Sequence, residues 1–237
     1  MSPSPRKTLV YIISAPSGSG KSTLVNELLK SVSGLEFSIS YTTRSPRGSE
    51  SNGRQYYFVS RAEFEKMIRE NQFLEYAEVF GNYYGTARRF MQEAEKNGRD
   101  LLLDIDVQGA AQIQQKMPGA ISIFILPPDR KTLEERLRKR GEDRENVIQR
   151  RLTTAAEEIE NYERYNYILV NDRLEDSIGI LQSIVRAERF IRSGHDLSAD
   201  EQAVVAAADC CRLANVSERL KPILASFKTA VESGRPS

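Results

Sequence analysis

The chain has 237 residues, which is enough for one substantial core with inserted lobes. Hydrophobic residues make up 40% and charged residues 28%, a composition typical of globular rather than disordered proteins. The net charge of +1 argues against nucleic-acid binding by bulk electrostatics. No apolar run approaches the roughly 18 residues that span a bilayer. The adjacent Cys210 and Cys211 suggest neither a disulfide framework nor a zinc site. We therefore expect a cytoplasmic protein with no nucleic-acid or membrane partner.

Predicted strands and helices alternate along most of the chain. Apolar runs predict strands at Leu9–Ser14, Leu101–Ile105, Ile121–Leu126 and Tyr167–Val170. Helical patterns are predicted at about 21–31, 88–97, 130–140, 144–164 and 174–193. Buried strands separated by helices indicate an α/β fold with a parallel sheet core flanked by helices.

Two segments depart from this alternation. From about 36 to 86 the chain is rich in Tyr, Ser, Thr, Arg and Gly, with strand-like pieces at Phe37–Tyr41 and Gln55–Val59 and a short helix near 61–70. We interpret this segment as a lobe inserted after the first helix. Beyond residue 194, Ala203–Ala208 and Leu220–Val231 predict two short helices. Three alternatives are open for this extension: packing on the core, self-association or partial disorder.

A phosphate-binding loop is predicted directly after the first strand. Glycines allow backbone N–H groups to turn toward a polyphosphate, and the following helix offers its positive N-terminus. Lys21 adds a full charge, and Ser22 is placed to hold Mg²⁺ by its hydroxyl. Ala15 stands where the general pattern G-x-x-x-x-G-K-[ST] has glycine. A Gly/Ser-rich turn before a helix is the alternative. The predicted ATP-binding residues of the loop are Ala15, Pro16, Ser17, Gly18, Ser19, Gly20, Lys21, Ser22 and Thr23.

The inserted segment supplies candidate phosphate ligands. Arg44 and Arg47 lie three apart beside a proline, so their guanidinium groups could grip one phosphate. Tyr56 and Tyr84 lie near glycine turns and could donate further hydrogen bonds. Taken singly, the arginines could be surface residues and the tyrosines core residues. Their occurrence in one segment behind a phosphate-binding loop favours a second phosphate site.

Glu75 is a candidate reader of a purine base. It lies in an otherwise apolar and aromatic run, Phe73-Leu74-Glu75-Tyr76-Ala77. A carboxylate there could accept from both N1–H and the 2-amino group of guanine. Adenine lacks that donor pair and would leave the carboxylate unpaired, at a cost that provides discrimination. Considered alone, Glu75 could be an ordinary solvated residue.

Together these motifs resemble the guanylate kinase family, whose members phosphorylate GMP from ATP. The resemblance covers about residues 7 to 193 and rests on residues 14–23, 42–47, 81–86, 103–109, 125–128 and 170–172. The family also contains members with alanine at the position of Ala15. The resemblance implies the fold of P-loop nucleoside monophosphate kinases, with an inserted GMP-binding lobe and a lid. The implied segments are core 1–36, GMP-binding lobe 37–87, core 88–129, lid 130–152, core 153–194 and a helical extension 195–237.

The resemblance also implies roles for individual residues. Ser40 and Glu75 would read guanine, assisted by Asp106 and Thr86, and Asn171 would lie near the ATP adenine. The full implied GMP-binding set is Ser40, Arg44, Arg47, Tyr56, Glu75, Tyr84, Thr86, Asp104 and Asp106. The implied catalytic set is Lys21, Arg44, Arg136, Arg140 and Arg151. Asp104 could also approach the Mg²⁺ of Ser22 through water, and the division of work between Asp104 and Asp106 stays open, as does a turn-capping role for both.

The expected reaction is transfer of the γ-phosphoryl group of ATP to GMP, giving ADP and GDP. The attacking phosphate oxygen is already anionic, so no general base is needed, and the only histidine, His195, lies far from every motif. Closure of the lobe and the lid is expected to exclude water. A non-catalytic interaction module is an alternative, although such modules typically lose the loop lysine or glycines. A kinase for another nucleotide is opposed by Ser40 and Glu75, and a GTPase by the missing N-K-x-D motif.

Overall fold

The computed structural model describes residues 7–139 and 144–232. The strands are β1 (Val10–Ser14), β2 (Leu35–Ser38), β3 (Tyr41–Thr42), β4 (Tyr57–Phe58), β5 (Phe73–Val79), β6 (Asn82–Ala87), β7 (Asp100–Asp104), β8 (Ile121–Leu126) and β9 (Tyr167–Val170). The helices are α1 (Lys21–Ser31), α2 (Arg61–Arg69), α3 (Arg89–Lys96), α4 (Val107–Lys116), α5 (Arg130–Lys139), α6 (Glu145–Ile159), α7 (Leu174–Ser193), α8 (Ala199–Asp209) and α9 (Leu213–Glu232).

The strands form two sheets of different character. The larger has the strand order β2-β7-β1-β8-β9, and both the β2/β7 and the β8/β9 pairs are parallel. Its central strands β1 and β8 are apolar runs in which every residue is buried, as expected for a sheet covered on both faces. The smaller sheet has the order β4-β3-β6-β5 and contains the antiparallel hairpin β5–β6. The predicted α/β fold with a parallel sheet flanked by helices is confirmed.

Contacts along the chain divide it into two compact units. Of the described residues, the first unit contains 7–12 and 33–121, and the second contains 13–32, 122–139 and 144–232. In the first unit, Phe64, Met67 and Phe73 form a buried apolar cluster between α2 and β5. In the second unit, α1 buries Leu24 and Val25, and α1 packs against α7.

Several local predictions differ from the structure. The piece predicted as Phe37–Tyr41 is two strands: β2 pairs with β7 in the larger sheet, and β3 belongs to the smaller sheet. The larger sheet therefore extends to Ser38, past the predicted start of the lobe at 37. The hairpin β5–β6 and helix α4 have no counterpart among the predicted elements. These elements carry polar residues such as Glu75 at buried positions. Such residues interrupt the apolar pattern from which strands and helices are predicted. The helix predicted at 144–164 ends at Ile159, and a separate 3₁₀ turn follows at Tyr162–Arg164.

The extension beyond residue 194 packs within the second unit. Helix α8 packs on α7, and α9 packs on α5, α6 and β9. The segment between them runs beside β9, where the N–H of Ile168 donates to the Cys211 carbonyl (2.7 Å) and the N–H of Leu213 donates to the Asn166 carbonyl (3.0 Å). Packing on the core, one of the alternatives left open by the sequence, is thus seen for α8 and α9, and both helices are longer than predicted. Helix α8 begins with a capping box formed by Ser198 and Glu201.

The remaining sequence-level expectations concern cysteines and membrane spans. Cys210 and Cys211 are both free thiols. Within the part of the chain that the structure describes, no helix has the length and apolar character needed to cross a membrane.

Candidate active site

The predicted phosphate-binding loop connects β1 to α1 in a strand–loop–helix arrangement. Gly18 and Gly20 have φ values of +96° and +89°, in the left-handed region that side chains rarely adopt. A Cβ atom on Gly20 would lie 2.4 Å from Nδ2 of Asn171, and one on Gly18 would lie 2.9 Å from Leu133. Both glycines are therefore required by backbone conformation and by close approach. Nothing of this kind is required of Ala15, which departs from the general pattern.

The first turn of α1 carries the charged and hydroxyl groups of the loop. Lys21 is half-buried, and Ser22 and Thr23 are exposed. Gly20 is the N-cap of α1 and provides no side-chain cap, so the N-terminal N–H groups of the helix lack a capping side chain of their own. An unsatisfied helix N-terminus of this type favours bound anions. Two buried hydroxyls, Oγ of Ser14 and Oγ of Ser19, have no hydrogen-bond partner among the described residues.

Asn171 lies immediately after β9 and is buried, with 5% of its surface exposed. Its side-chain amide donates to the carbonyl of Ser19 (2.7 Å), and its backbone N–H donates to the carbonyl of Leu126 (2.7 Å). Its own carbonyl accepts from Nη2 of Arg136 (3.0 Å). The residue predicted to lie near adenine is thus a direct support of the phosphate-binding loop, which the sequence did not indicate.

The lid arginines occupy different environments. Arg136 lies on α5, where Nη1 is buried without a hydrogen-bond partner among the described residues. Arg151 lies half-buried on α6, and Arg140 lies outside the described residues. Arg138 pairs with Glu134 (2.8 Å) one turn away and also with Glu145. A buried guanidinium nitrogen without a partner is costly, and an anionic ligand would satisfy it.

In the first unit, the structure brings together three of the predicted phosphate ligands. The guanidinium of Arg44 lies 5.4 Å from the ring centre of Tyr56, and the rings of Tyr56 and Tyr84 are 5.8 Å apart. Glu50, which the sequence analysis did not single out, pairs with Arg44 (3.0 Å) and accepts from the N–H of Arg47 (2.8 Å). Burial lowers the pKa of Arg44, but its hydrogen bonds and charge interactions with Glu50 and Tyr84 together outweigh burial, so the pKa is raised above its ordinary value. The Arg47 side chain is exposed.

Glu75 is a buried carboxylate on the hairpin β5–β6, with 4% of its surface exposed. Thr86 lies directly opposite on β6, and its hydroxyl donates to Oε1 of Glu75 (2.6 Å). Burial raises the pKa of Glu75 to about 7, and the charge of Asp106 adds to this, while the Thr86 hydrogen bond and Lys116 lower it. Gly109 on α4 allows the carboxylate its position, because a Cβ there would lie 2.5 Å from Oε2. The structure thus places Glu75 beside Thr86, two residues that the resemblance assigned to the base, and Gly109 is an additional residue of this group.

Three other predicted residues lie at ends of strands. Asp106 follows β7 and caps α4, since its Oδ1 accepts from the N–H groups of Gln108 (2.7 Å) and Gly109 (2.9 Å). The capping alternative that the sequence left open is therefore observed for Asp106. Asp104 is the last residue of β7, and its part in GMP or Mg²⁺ binding stays a prediction. Ser40 is buried between β2 and β3, and its carbonyl accepts from the N–H of Tyr57 (2.9 Å).

A glycine-dependent loop between a buried strand and a helix, followed by Lys21 and Ser22, defines a P-loop nucleotide-binding protein of the α/β class. The comparisons with known proteins specify the class further. The family model for guanylate kinase matches residues 7–188. The chain belongs to the guanylate kinase family.

Individual relatives agree with this assignment. The chain is 56% identical to a guanylate kinase of Koribacter versatilis over 226 residues, covering 94% of this chain and 97% of that protein. It is 50% identical to the guanylate kinase of Escherichia coli (strain K12) over 183 residues, covering 76% of this chain and 88% of that protein. A crystal structure of guanylate kinase from Anaplasma phagocytophilum superimposes with a TM-score of 0.64 at 36% identity, covering 77% of this chain and 87% of that one.

Proposed function

We propose that this chain transfers the γ-phosphoryl group of ATP to GMP, producing ADP and GDP in purine nucleotide metabolism. The observation that carries the proposal is the intact phosphate-binding loop of this guanylate kinase family member. Lys21 is in place, and Gly18 and Gly20 adopt the left-handed conformation. A non-catalytic interaction module would not need this loop. We expect the enzyme to act in the cytoplasm, and its oligomeric state is open to measurement.

Guanine recognition is assigned to the buried pair Glu75–Thr86. The ionised carboxylate can accept from both N1–H and the 2-amino group, and the Thr86 hydroxyl keeps one carboxylate oxygen oriented. Since the pKa of Glu75 is about 7, protonated and ionised forms are both populated near neutral pH. Two donors from guanine favour the ionised form, so GMP binding should lower this pKa. Adenine in the same position leaves the buried carboxylate unpaired, which costs several-fold to many-fold in affinity.

The GMP phosphate is assigned to Arg44, Arg47, Tyr56 and Tyr84. Glu50 and the rings of Tyr56 and Phe58, whose centres lie 5.4 and 5.9 Å from the Arg44 guanidinium, hold that group before the phosphate arrives. Preorganisation of this kind lowers the entropy cost of binding. Arg47, whose side chain is exposed, can swing onto the same phosphate.

The ATP phosphates are assigned to residues 15–23. Backbone N–H groups of the loop, the N-terminus of α1 and the Lys21 ammonium supply the positive potential. Ser22 fits a Mg²⁺ site because its exposed hydroxyl is a hard oxygen donor at the first turn of α1, beside the expected phosphates. When bound, Mg²⁺ neutralises charge on the β- and γ-phosphoryl oxygens.

Stabilisation of the negative charge that develops during transfer is assigned to Lys21 and the lid arginines. Arg136 is the best supported, because its buried Nη1 has a hydrogen-bonding capacity that an anionic ligand would satisfy. Arg151, on α6, and Arg140 complete the set implied by the family. No histidine is needed as a base, and His195 instead contacts Ser193 and Glu201. The protein's contribution is orientation and charge neutralisation of two anionic substrates.

The test is ADP release with ATP and Mg²⁺, offering GMP, AMP, CMP and UMP separately. We expect release with GMP alone, and loss of almost all of it in Lys21→Ala. Lys30→Ala, an exposed lysine at the end of the same helix, is the matched control and should retain activity. Absence of release with all four nucleotides from folded protein would favour the interaction-module alternative. Near-normal turnover of Lys21→Ala would overturn the mechanism.

A further inference from the structure

Asn171 combines three hydrogen bonds that tie together separate parts of the second unit. Its amide nitrogen Nδ2 holds the Ser19 carbonyl, its backbone N–H holds the end of β8 at Leu126, and its carbonyl holds Arg136. Each of these contacts joins residues that are far apart in sequence. All three are made by a side chain or peptide group that is 5% exposed, so water competes poorly for them.

The contact with Ser19 fixes the orientation of a peptide group in the phosphate-binding loop. The carbonyl of Ser19 and the N–H of Gly20 belong to the same planar trans peptide unit, so they point in opposite directions. Holding the carbonyl on Asn171 therefore also fixes the direction of the Gly20 N–H. Gly20 has φ +89°, where glycine can rotate between several conformations, so the loop alone does not select this one.

Packing strengthens this restraint. A Cβ on Gly20 would lie 2.4 Å from Nδ2 of Asn171, which shows how closely the amide lies against the loop. The backbone carbonyl of Asn171 accepts from Nη2 of Arg136, whose Nη1 is buried with no hydrogen-bond partner among the described residues. One residue therefore orients both the loop peptide and the lid arginine.

We propose that Asn171 is a positioning residue: its side chain orients the Ser19–Gly20 peptide for the triphosphate of the donor nucleotide, beside the Arg136 guanidinium that its backbone carbonyl holds. This assigns its effect to the phosphates and not to contact with the adenine base. The inference rests on the proposed function for its kinetic consequences. Its structural consequence, a restrained loop in the nucleotide-free protein, holds whatever the substrate.

The test combines two variants with a matched control. Asn171→Ala removes the amide, and Asn171→Asp keeps the size and the acceptor oxygen but removes the Nδ2 donor that Ser19 requires. Asn166→Ala is the control, because Asn166 lies at the other end of β9 and its side chain accepts from the N–H of Ser122 (2.8 Å). It removes a comparable hydrogen bond without touching the loop.

The first readout is amide hydrogen exchange of residues 16–24 in nucleotide-free protein. We expect both Asn171 variants to exchange at least ~5-fold faster there, as loss of one buried hydrogen bond implies, and Asn166→Ala to exchange like the unmodified protein. A residue that acted only on the base would leave exchange in the free protein unchanged. Unchanged exchange in both Asn171 variants would overturn the proposal.

The second readout is steady-state kinetics with ATP and GMP varied separately. We expect KM for ATP to rise about 5- to 10-fold in both variants and KM for GMP to stay constant. The Arg136 contact is made by the backbone carbonyl of residue 171, so both variants keep it and the kinetic effect reports on the loop peptide. An unchanged KM for ATP beside faster exchange would show that the restraint is structural only and would overturn the functional half. Failure of the proposed function is distinguishable, because the unmodified protein would then lack GMP-dependent ADP release while the exchange result stood.

Discussion

Replacing Glu75 by glutamine should stabilise the protein and impair GMP binding at the same time. Burial raises the pKa of this carboxyl from 4.5 to about 7 in the folded state. Between those two pH values the folded protein keeps a proton that the unfolded chain releases, so stability falls as pH rises from 4.5 and levels off above about 7. The ionised carboxylate is therefore a cost to folding that the enzyme retains for its ligand.

The size of this cost follows from the same difference. One pH unit between folded and unfolded pKa corresponds to about 1.4 kcal/mol, so ionised Glu75 destabilises the folded state at pH 8 by about 3 kcal/mol. A glutamine keeps an oxygen that accepts from Thr86 but must bury an amide, which offsets part of the gain. We expect a net stabilisation of about 1–3 kcal/mol at pH 8, or a melting temperature higher by ~2–10 °C. Below pH 4.5 the difference should largely disappear.

The functional effect has the opposite sign. Glutamine offers one acceptor and one donor where guanine presents two donors, so we expect KM for GMP to rise ~10- to 100-fold, with KM for ATP unchanged. The measurements are thermal unfolding from pH 4 to 9 and steady-state kinetics at pH 8. Glu78→Gln, an exposed glutamate on the same strand, is the control and should change neither quantity much. A melting temperature of Glu75→Gln that tracks the unmodified protein at every pH would refute the reasoning about the buried charge.

Three further substitutions test other parts of the structure. Gly109→Ala places a Cβ that would lie 2.5 Å from the Glu75 carboxylate and therefore displaces it. We expect KM for GMP to rise ~10-fold or more in steady-state kinetics with GMP varied. An unchanged KM for GMP would contradict the close approach. Arg44→Ala should raise KM for GMP ~10- to 100-fold and change KM for ATP little. Arg54→Ala, at an exposed arginine, is the control and should change neither KM much. A larger rise in KM for ATP than in KM for GMP would refute the assignment of Arg44 to the GMP phosphate. Arg212→Ala removes the cation over the Tyr167 ring and an ion-pair partner of Glu188. We expect a loss of stability of about 1–2 kcal/mol, seen as a melting temperature lower by ~2–8 °C, with both KM values constant. Calorimetry showing no change in melting temperature would contradict this prediction.

The sequence determined the parts of the site that depend on local chemistry. Gly18, Gly20 and Lys21 all lie in one strand–loop–helix segment, so their spacing alone predicted the phosphate-binding loop. The core strands were equally readable, because strands buried on both faces are continuous apolar runs. The motifs shared with guanylate kinases then identified the family, which the comparisons confirmed.

Only the tertiary structure decided how distant residues support that chemistry. Asn171 acts on Ser19 across 152 positions of sequence. The roles of Glu50 beside Arg44 and of Gly109 beside Glu75 were likewise not predicted and became apparent only from the fold. The hairpin β5–β6 escaped prediction because Glu75 is polar at a buried position, a combination that local periodicity cannot explain. The spacing of residues predicts chemistry that lies within one segment. Burial, close approach and the resulting pKa shifts depend instead on which segments pack together, and these are known only once the chain is folded.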